Sequence, residues 1–365
     1  MTSTSFPRDS ADWKATFIRS MVSSLAARSD LELTFWGPKG ELPTNVAYAT
    51  SASDAQWFDK LLGAGGIANV LRKKNFSSIA TALALVSKLK NAYANSRNTN
   101  VFHANWLQSV VSMRRDGRPL LVTVLGTDFA LLKLPGVVYL LRRIFRRGPC
   151  IIAPNADWMV PRLEECFGDV ATVRCIPFGI DKSWFDMSRL VSAGGPHRWL
   201  LVSRITHGKI GPLFEWGEGI FCGAHELHVF GPIQEDVAMP AWVHYHGATN
   251  PGELQQQHFP TAAGLITLSA HDEGRPQVML EAMAAGLPIV ASPLAAHLDI
   301  IRDRDTGMIA NTREELQATL AKLARPEENL RIGSNAKTWV KEQLGTWEDC
   351  AQRYVSAYKS LTGLR

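Results

Sequence analysis

Two carboxylates, Glu273 and Glu281, stand eight positions apart in the stretch HDEGRPQVMLEAMAAGLPIVA. Glu273 lies in a turn-forming run, Gly274-Arg275-Pro276, and Glu281 falls inside a short apolar-periodic segment. Proline suits a first helical position, because its fixed φ fits and its missing N–H has no partner there. Gly286 then marks the end of that helix, and Pro288 prevents its resumption. The spacing therefore predicts a loop, a helix from Pro276, and a buried strand LPIVA over 287–291. A helix N-terminus of this kind offers free amides to a phosphate, and nearby carboxylates offer acceptors to sugar hydroxyls. The chemistry implied is the holding of a phosphorylated sugar.

The elements that must position these groups read as alternating strands and helices, hence α/β layers with parallel sheets. In the first half, strands are expected at 31–37, 120–126 and 150–155, with a weaker one at 99–105. In the second half they are expected at 198–204, 226–232, 243–247, 264–269 and 287–291. A boundary near residue 181 follows from CIPFGID (175–181) and the Ser/Gly/Pro-rich SAGGPH (192–197). The domains are therefore 1–181 and 182–345, with a final helix, 346–365, that sets Trp347, Ala351, Tyr354 and Tyr358 on one face.

At 365 residues the chain is long enough for two domains. Its 46% hydrophobic and 20% charged residues describe a globular protein. No apolar run approaches the roughly 18 residues of a membrane span. The first fourteen residues lack the basic start and apolar core of a secretory signal. Five scattered cysteines form neither a disulfide framework nor a metal knuckle, which fits a reducing cytoplasm. A net charge of +5 accommodates anionic small molecules or lipid, and no nucleic-acid motif accompanies it.

The stretch Glu273-Gly274, Glu281-Ala282-Met283-Ala284, Gly286, Pro288 to Ala291, then Thr306-Gly307, resembles the signature of retaining GT-B glycosyltransferases of the glycosyltransferase 4 type, the group 1 glycosyl transferases. LVSRITHGKIG (201–211) is similar to that family's donor-site cation element and matches Arg204 and Lys209 to it. The resemblance implies two Rossmann-like domains facing a cleft, with the last helix crossing back to the first domain. It implies a transferase that moves a sugar, with retention, from a UDP- or GDP-sugar to a glycan or lipid-linked acceptor, as in polysaccharide biosynthesis. Arg204 and Lys209 would stabilise charge growing on the departing diphosphate. Glu273 would border the transferred sugar and Glu281 the ribose. Gly274, Arg275, Pro276 and Gln277 would line the phosphate or sugar, with Arg275 equally suited to a structural pairing with an acid. His246 and Gly247 at a strand end would border the base, and Gly231 would line the same crevice. Neither cofactor nor metal is expected, since His207, His246 and His297 lack ligand spacing.

Two departures from the family lie in the first half. Leu125 occupies the position of a histidine in VTVLGTD, leaving three alternatives: His103 acting from a neighbouring strand end, Asp128 acting itself, or transfer without a protein base. Both side chains also have structural readings, a core histidine and a turn-forming aspartate. Only five residues precede Phe6-Pro7-Arg8, so the first strand is expected to be missing or truncated. Two more features concern surfaces. The helical segment 132–148 sets Arg142, Arg143, Arg146 and Arg147 opposite an apolar arc, a face suited to an anionic membrane at the cytoplasmic side. Arg72-Lys73-Lys74 is a second basic cluster. A same-fold epimerase or hydrolase, or a scaffold that binds donor without turnover, remains the alternative.

Overall fold

The structure, a computed structural model, describes all residues except 10–11, 67–69, 71–75, 114–115, 127, 191–194, 272 and 364–365. The basic cluster 72–74 and part of the 192–197 stretch lie outside the described residues. The chain divides into two compact units, Met1–Pro177 with Glu348–Arg365, and Phe178–Trp347.

The first unit is built on parallel strands. β1 (Thr34–Phe35) pairs with β2 (Ala47–Tyr48). A second sheet has the order β3 (Phe102–Asn105), β4 (Leu120–Val124), β5 (Cys150–Pro154), β6 (Thr172–Val173). Every residue of β3, β4 and β5 is buried, the mark of parallel strands covered on both faces. The chain's opening residues join the two sheets from the middle. Thr2 bridges both Trp36 and Ala104, with Thr2 N donating to His103 O (2.8 Å) and Asn105 N to Thr2 O (3.0 Å). A short lead-in thus occupies the position where a full strand was expected to be lacking.

Helices Val137–Phe145 and Val160–Phe167 cover this sheet, locked by an edge-to-face contact of Phe145 with Phe167 at 5.2 Å. Helix Trp347–Thr362 belongs to the same unit from Glu348 onward, and places the Tyr354 hydroxyl 3.0 Å from Thr123 Oγ1 on β4. Of the arginine face, Arg142 is taken up by Asp169 (2.7 and 2.6 Å) and the Cys166 carbonyl, whereas Arg143, Arg146 and Arg147 are exposed.

The second unit is an open, all-parallel sheet. Its strands are β7 (His197–Val202), β8 (His225–Phe230), β9 (Val243–Gly247), β10 (Gly264–Thr267), β11 (Ile289–Ala291) and β12 (Met308–Ile309). Their spatial order is β12-β11-β10-β7-β8-β9. The chain starts at the centre with β7, builds outward to β9, then returns to β10 on the other side. This is the doubly wound order, and its direction reverses between β7 and β10. Ligands of such sheets bind beyond the carboxyl ends of the strands at that reversal. Among the described residues, no helix is long and apolar enough to cross a membrane.

Candidate functional site

The two loops that leave the reversal point carry the predicted cations and one of the two carboxylates. After β7 the chain passes Arg204 and enters a one-turn helix, His207–Ile210, capped by the Thr206 hydroxyl, which accepts from Lys209 N (3.2 Å). After β10 it runs through Glu273 into helix Gln277–Ala284. Hydrogen bonds lace the loops together. Ala270 N donates to Gly208 O (2.8 Å), and Ser269 Oγ to the same carbonyl (3.3 Å). Gly211, at φ 54°, lies so close to the Leu268 carbonyl that any Cβ would collide with it.

This lacing brings Lys209 Nζ onto Glu273 Oε1 in a largely shielded ion pair, with side-chain exposures of 12% and 16%. Burial pulls the lysine below its ordinary range, Glu273 opposes that shift, and the nearby charge of Arg204 adds to it. Among the described residues, Arg204 has neither a hydrogen-bond nor an ion-pair partner. Among the described residues the loops therefore present one compensated cation and one uncompensated one, a setting that attracts an anion.

Helix Gln277–Ala284 begins one residue later than predicted, with Pro276 as its extended N-cap. Its first two amides, of Gln277 and Val278, have no acceptor among the described residues. Gln277 Nε2 donates to Gly179 O (2.9 Å), while its Oε1 is buried without a partner among the described residues. One turn on, the Glu281 carboxylate also has no hydrogen-bond partner there, and its pKa is pushed up to about 8 by burial first and by Asp181 second. Groups of this kind, desolvated and unmatched among the described residues, are what an incoming hydroxyl-rich ligand would satisfy.

Two other predicted residues of this unit, Arg275 and Gly231, have partners or close contacts within its frame. Arg275 is buried and forks onto Asp299 through Nε (3.0 Å) and Nη2, the structural pairing rather than a ligand contact. Gly231 sits where a Cβ would meet the Ser203 carbonyl, so it permits the close approach of the β7 and β8 ends. Its amide donates to Gly247 O (2.6 Å). His246 is exposed at the end of β9, where its ring stacks on Phe230 at 4.5 Å and 8°.

Sequence reasoning overlooked two neighbours, Asp181 and Asp299, and read a third, His297, only as lacking metal-ligand spacing. Asp181 is legible only as a helix cap, and Asp299 only as an isolated acid. His297 is fully buried, its Nδ1–H donating to Ser292 O (2.9 Å) while Nε2 lacks a partner among the described residues. Burial lowers its pKa, and Glu273 and Lys209 both bear on it.

The two first-unit candidates are both buried and hydrogen-bonded within that unit. His103 is buried, with Nδ1 2.7 Å from the Tyr358 hydroxyl and Nε2 2.8 Å from Thr123 Oγ1. Burial holds it far below the ordinary histidine range, so it stays neutral. Asp128 is buried as well, and both its oxygens accept backbone amides, from Leu107 (2.9 Å) and Leu125 (2.8 Å). Burial raises its pKa to about 7 despite those bonds. Both ring nitrogens of His103 and both carboxylate oxygens of Asp128 are thus engaged in hydrogen bonds within the first unit.

Residues 235–339 match the family described as Glycosyl transferases group 1. Over 81 residues the chain is 35% identical to a Xenopus tropicalis protein named Glycosyltransferase 1 domain-containing protein 1, covering 22% of this chain and 23% of that relative's length. Among solved structures, a sucrose-phosphate synthase from Thermosynechococcus elongatus superposes at a TM-score of 0.73 with 15% identity, over 99% of this chain and 98% of that one. A trehalose-6-phosphate synthase, studied for glycosyl transfer with retention, superposes at 0.70 with 13% identity over 98% of each chain. The Anabaena protein HepE, in complex with UDP and glucose, gives 0.64 with 12% identity over 95% of each. These likenesses show the GT-B fold.

Proposed function

We propose that this chain, whose residues 235–339 match the group 1 glycosyl transferases and which has the GT-B fold, moves a sugar from a nucleotide diphosphate sugar, UDP- or GDP-linked, to a glycan or lipid-linked acceptor with retention of configuration. The observation that carries this reading is the Lys209–Glu273 pair beside Arg204, which has no partner among the described residues, set at the reversal point of the sheet. The solved neighbours described with UDP and glucose, or with UDP-2-fluoro glucose, support the same class of donor.

In the step proposed, the bond from the anomeric carbon to the phosphate oxygen breaks and its electron pair goes to the diphosphate. The acceptor oxygen bonds to the anomeric carbon, and its proton passes to the departing phosphate oxygen on the same face. Arg204 and Lys209 stabilise the negative charge as it grows, a task that needs no metal at this point. Glu273 fixes Lys209 and borders the sugar, while Glu281 and Gln277 Oε1 accept ribose or sugar hydroxyls. No side-chain base is assigned, in keeping with the engaged His103 and Asp128. The exposed Arg143, Arg146 and Arg147, with Tyr139 and Leu140 beside them, would hold the first unit to an anionic membrane carrying a lipid-linked acceptor.

The second reading is a donor-binding protein without turnover, which Leu125 and the engaged His103 and Asp128 favour. One experiment separates these. UDP-glucose and GDP-mannose are incubated with the chain, with and without a panel of sugar and polyprenyl-phosphate acceptors, and nucleotide release is followed. Release that requires acceptor supports transfer; release without it marks a hydrolase, and binding without release the scaffold. In the transferase, Lys209→Ala should lower turnover by about 10²-fold or more while changing donor affinity much less.

A further inference from the structure

Strand β9 is the edge of the second unit's sheet, paired to β8 alone, and its middle three residues are exposed. The register sets His228 beside His244. Since alternate residues share a face, Glu226 and His228 of β8 lie on one side with His244 and His246 of β9. A glutamate oxygen and two imidazole nitrogens, from Glu226, His228 and His244, all fall within 4.8 Å of one another, the one such group among the described residues.

The internal geometry matches a zinc-type ligand set in two respects. Glu226 Oε2 and His228 Nε2 are 3.1 Å apart, close to the ~3.3 Å edge of a tetrahedron whose bonds are ~2.0–2.1 Å. His228 Nδ1 is 2.9 Å from His246 Nε2, so the ring that would ligate through Nε2 has an outer partner that fixes its tautomer. The His228 and His244 rings are stacked, at 4.7 Å and 15°. For both to reach one ion, the exposed His244 ring must tilt, which its surface position allows. Arg198 Nε lies 3.4 Å from His228 Nε2 and would be displaced by an ion, though Nη1 keeps Thr261 Oγ1 (2.9 Å). Its charge opposes the ion and holds the affinity down.

We propose that Glu226, His228 and His244 bind a single divalent zinc-type ion, with water as fourth ligand, and that the ion clamps the edge strand β9 to β8. The clamp contains neither Lys209 nor Glu273, and its role is to fix the strand end that leads to Gly247.

The test uses the full chain without a histidine tag. Zinc is titrated in by calorimetry near pH 7.5, and cobalt is added separately to read its visible bands. Expected are saturation by one ion at micromolar concentration, a rise in Tm with zinc, and the cobalt bands of a four-coordinate site. His244→Ala and Glu226→Gln should each weaken zinc binding at least tenfold while the metal-free Tm stays near wild type, and His207→Ala, on another loop, should bind as wild type does. Absence of saturable binding, or unchanged affinity in both His244→Ala and Glu226→Gln, overturns the proposal.

Discussion

Replacing Glu281 by glutamine should stabilise the protein at alkaline pH and leave it unchanged in mild acid. The carboxyl pKa rises from an ordinary 4.5 to about 8 through burial, with Asp181 adding to it. A raised acid binds its proton more tightly in the folded state than in the unfolded one. Stability is therefore full below about pH 4.5, falls as pH climbs toward 8, and is flat above. At about 1.4 kcal/mol per pH unit the rise corresponds to a ceiling of about 5 kcal/mol. Glu281 keeps part of its surface in water, so roughly half of that, ~2 kcal/mol, is the expected effect. Glutamine keeps the shape and removes the charge.

The assay is thermal unfolding of both proteins near pH 5 and near pH 8.5. The comparison is a difference of differences, which cancels every other titrating group. About 2 kcal/mol corresponds to a relative gain of ~4–8 °C for the variant at the higher pH. Equal behaviour at both pH values, or a variant less stable at pH 8.5, would refute the assignment of a buried and unmatched carboxyl. A second arm reads function. If ribose hydroxyls bind the ionised form, donor binding near pH 7 must expel a proton that about nine-tenths of the free molecules carry. Calorimetry in two buffers of different ionisation heat then shows buffer-dependent enthalpy in wild type and none in Glu281→Gln.

Asp299→Ala removes the carboxylate onto which the buried Arg275 guanidinium forks and should cost about 3–5 kcal/mol, seen as a lower Tm and urea midpoint. Asp128→Ala leaves the Leu107 and Leu125 amides without acceptors and should cost about 2–4 kcal/mol in denaturant unfolding, with nucleotide affinity unchanged, since its role is to hold backbone. Gly231→Ala drives a Cβ into the Ser203 carbonyl and should destabilise by about 2 kcal/mol or more, measured by the same unfolding curves.

What the sequence disclosed and what it withheld follow one physical division. Strand centres were legible because parallel strands buried on both faces must be continuous apolar runs, as LLVTV and CIIAP are; the two-residue strands β2, β6 and β12 lack the length to carry a period. The glutamates and cations were legible because loop and helix signals fix where each sits along the chain. Their pairing was not, because Lys209 and Glu273 meet only through the adjacency of β7 and β10, a property of strand order. The same holds for His103 and Asp128. Each occupies a strand-end position that suits chemistry, and each is claimed by partners distant in sequence, Tyr358 for one and the Leu107 amide for the other. The histidines of β8 and β9 make the point most sharply. Read along the chain, His228 and His244 have no ligand spacing, but parallel register puts them side by side. Linear spacing therefore discloses sites built on one helix or loop, whereas a site built across strands becomes visible only once the order of the sheet is known.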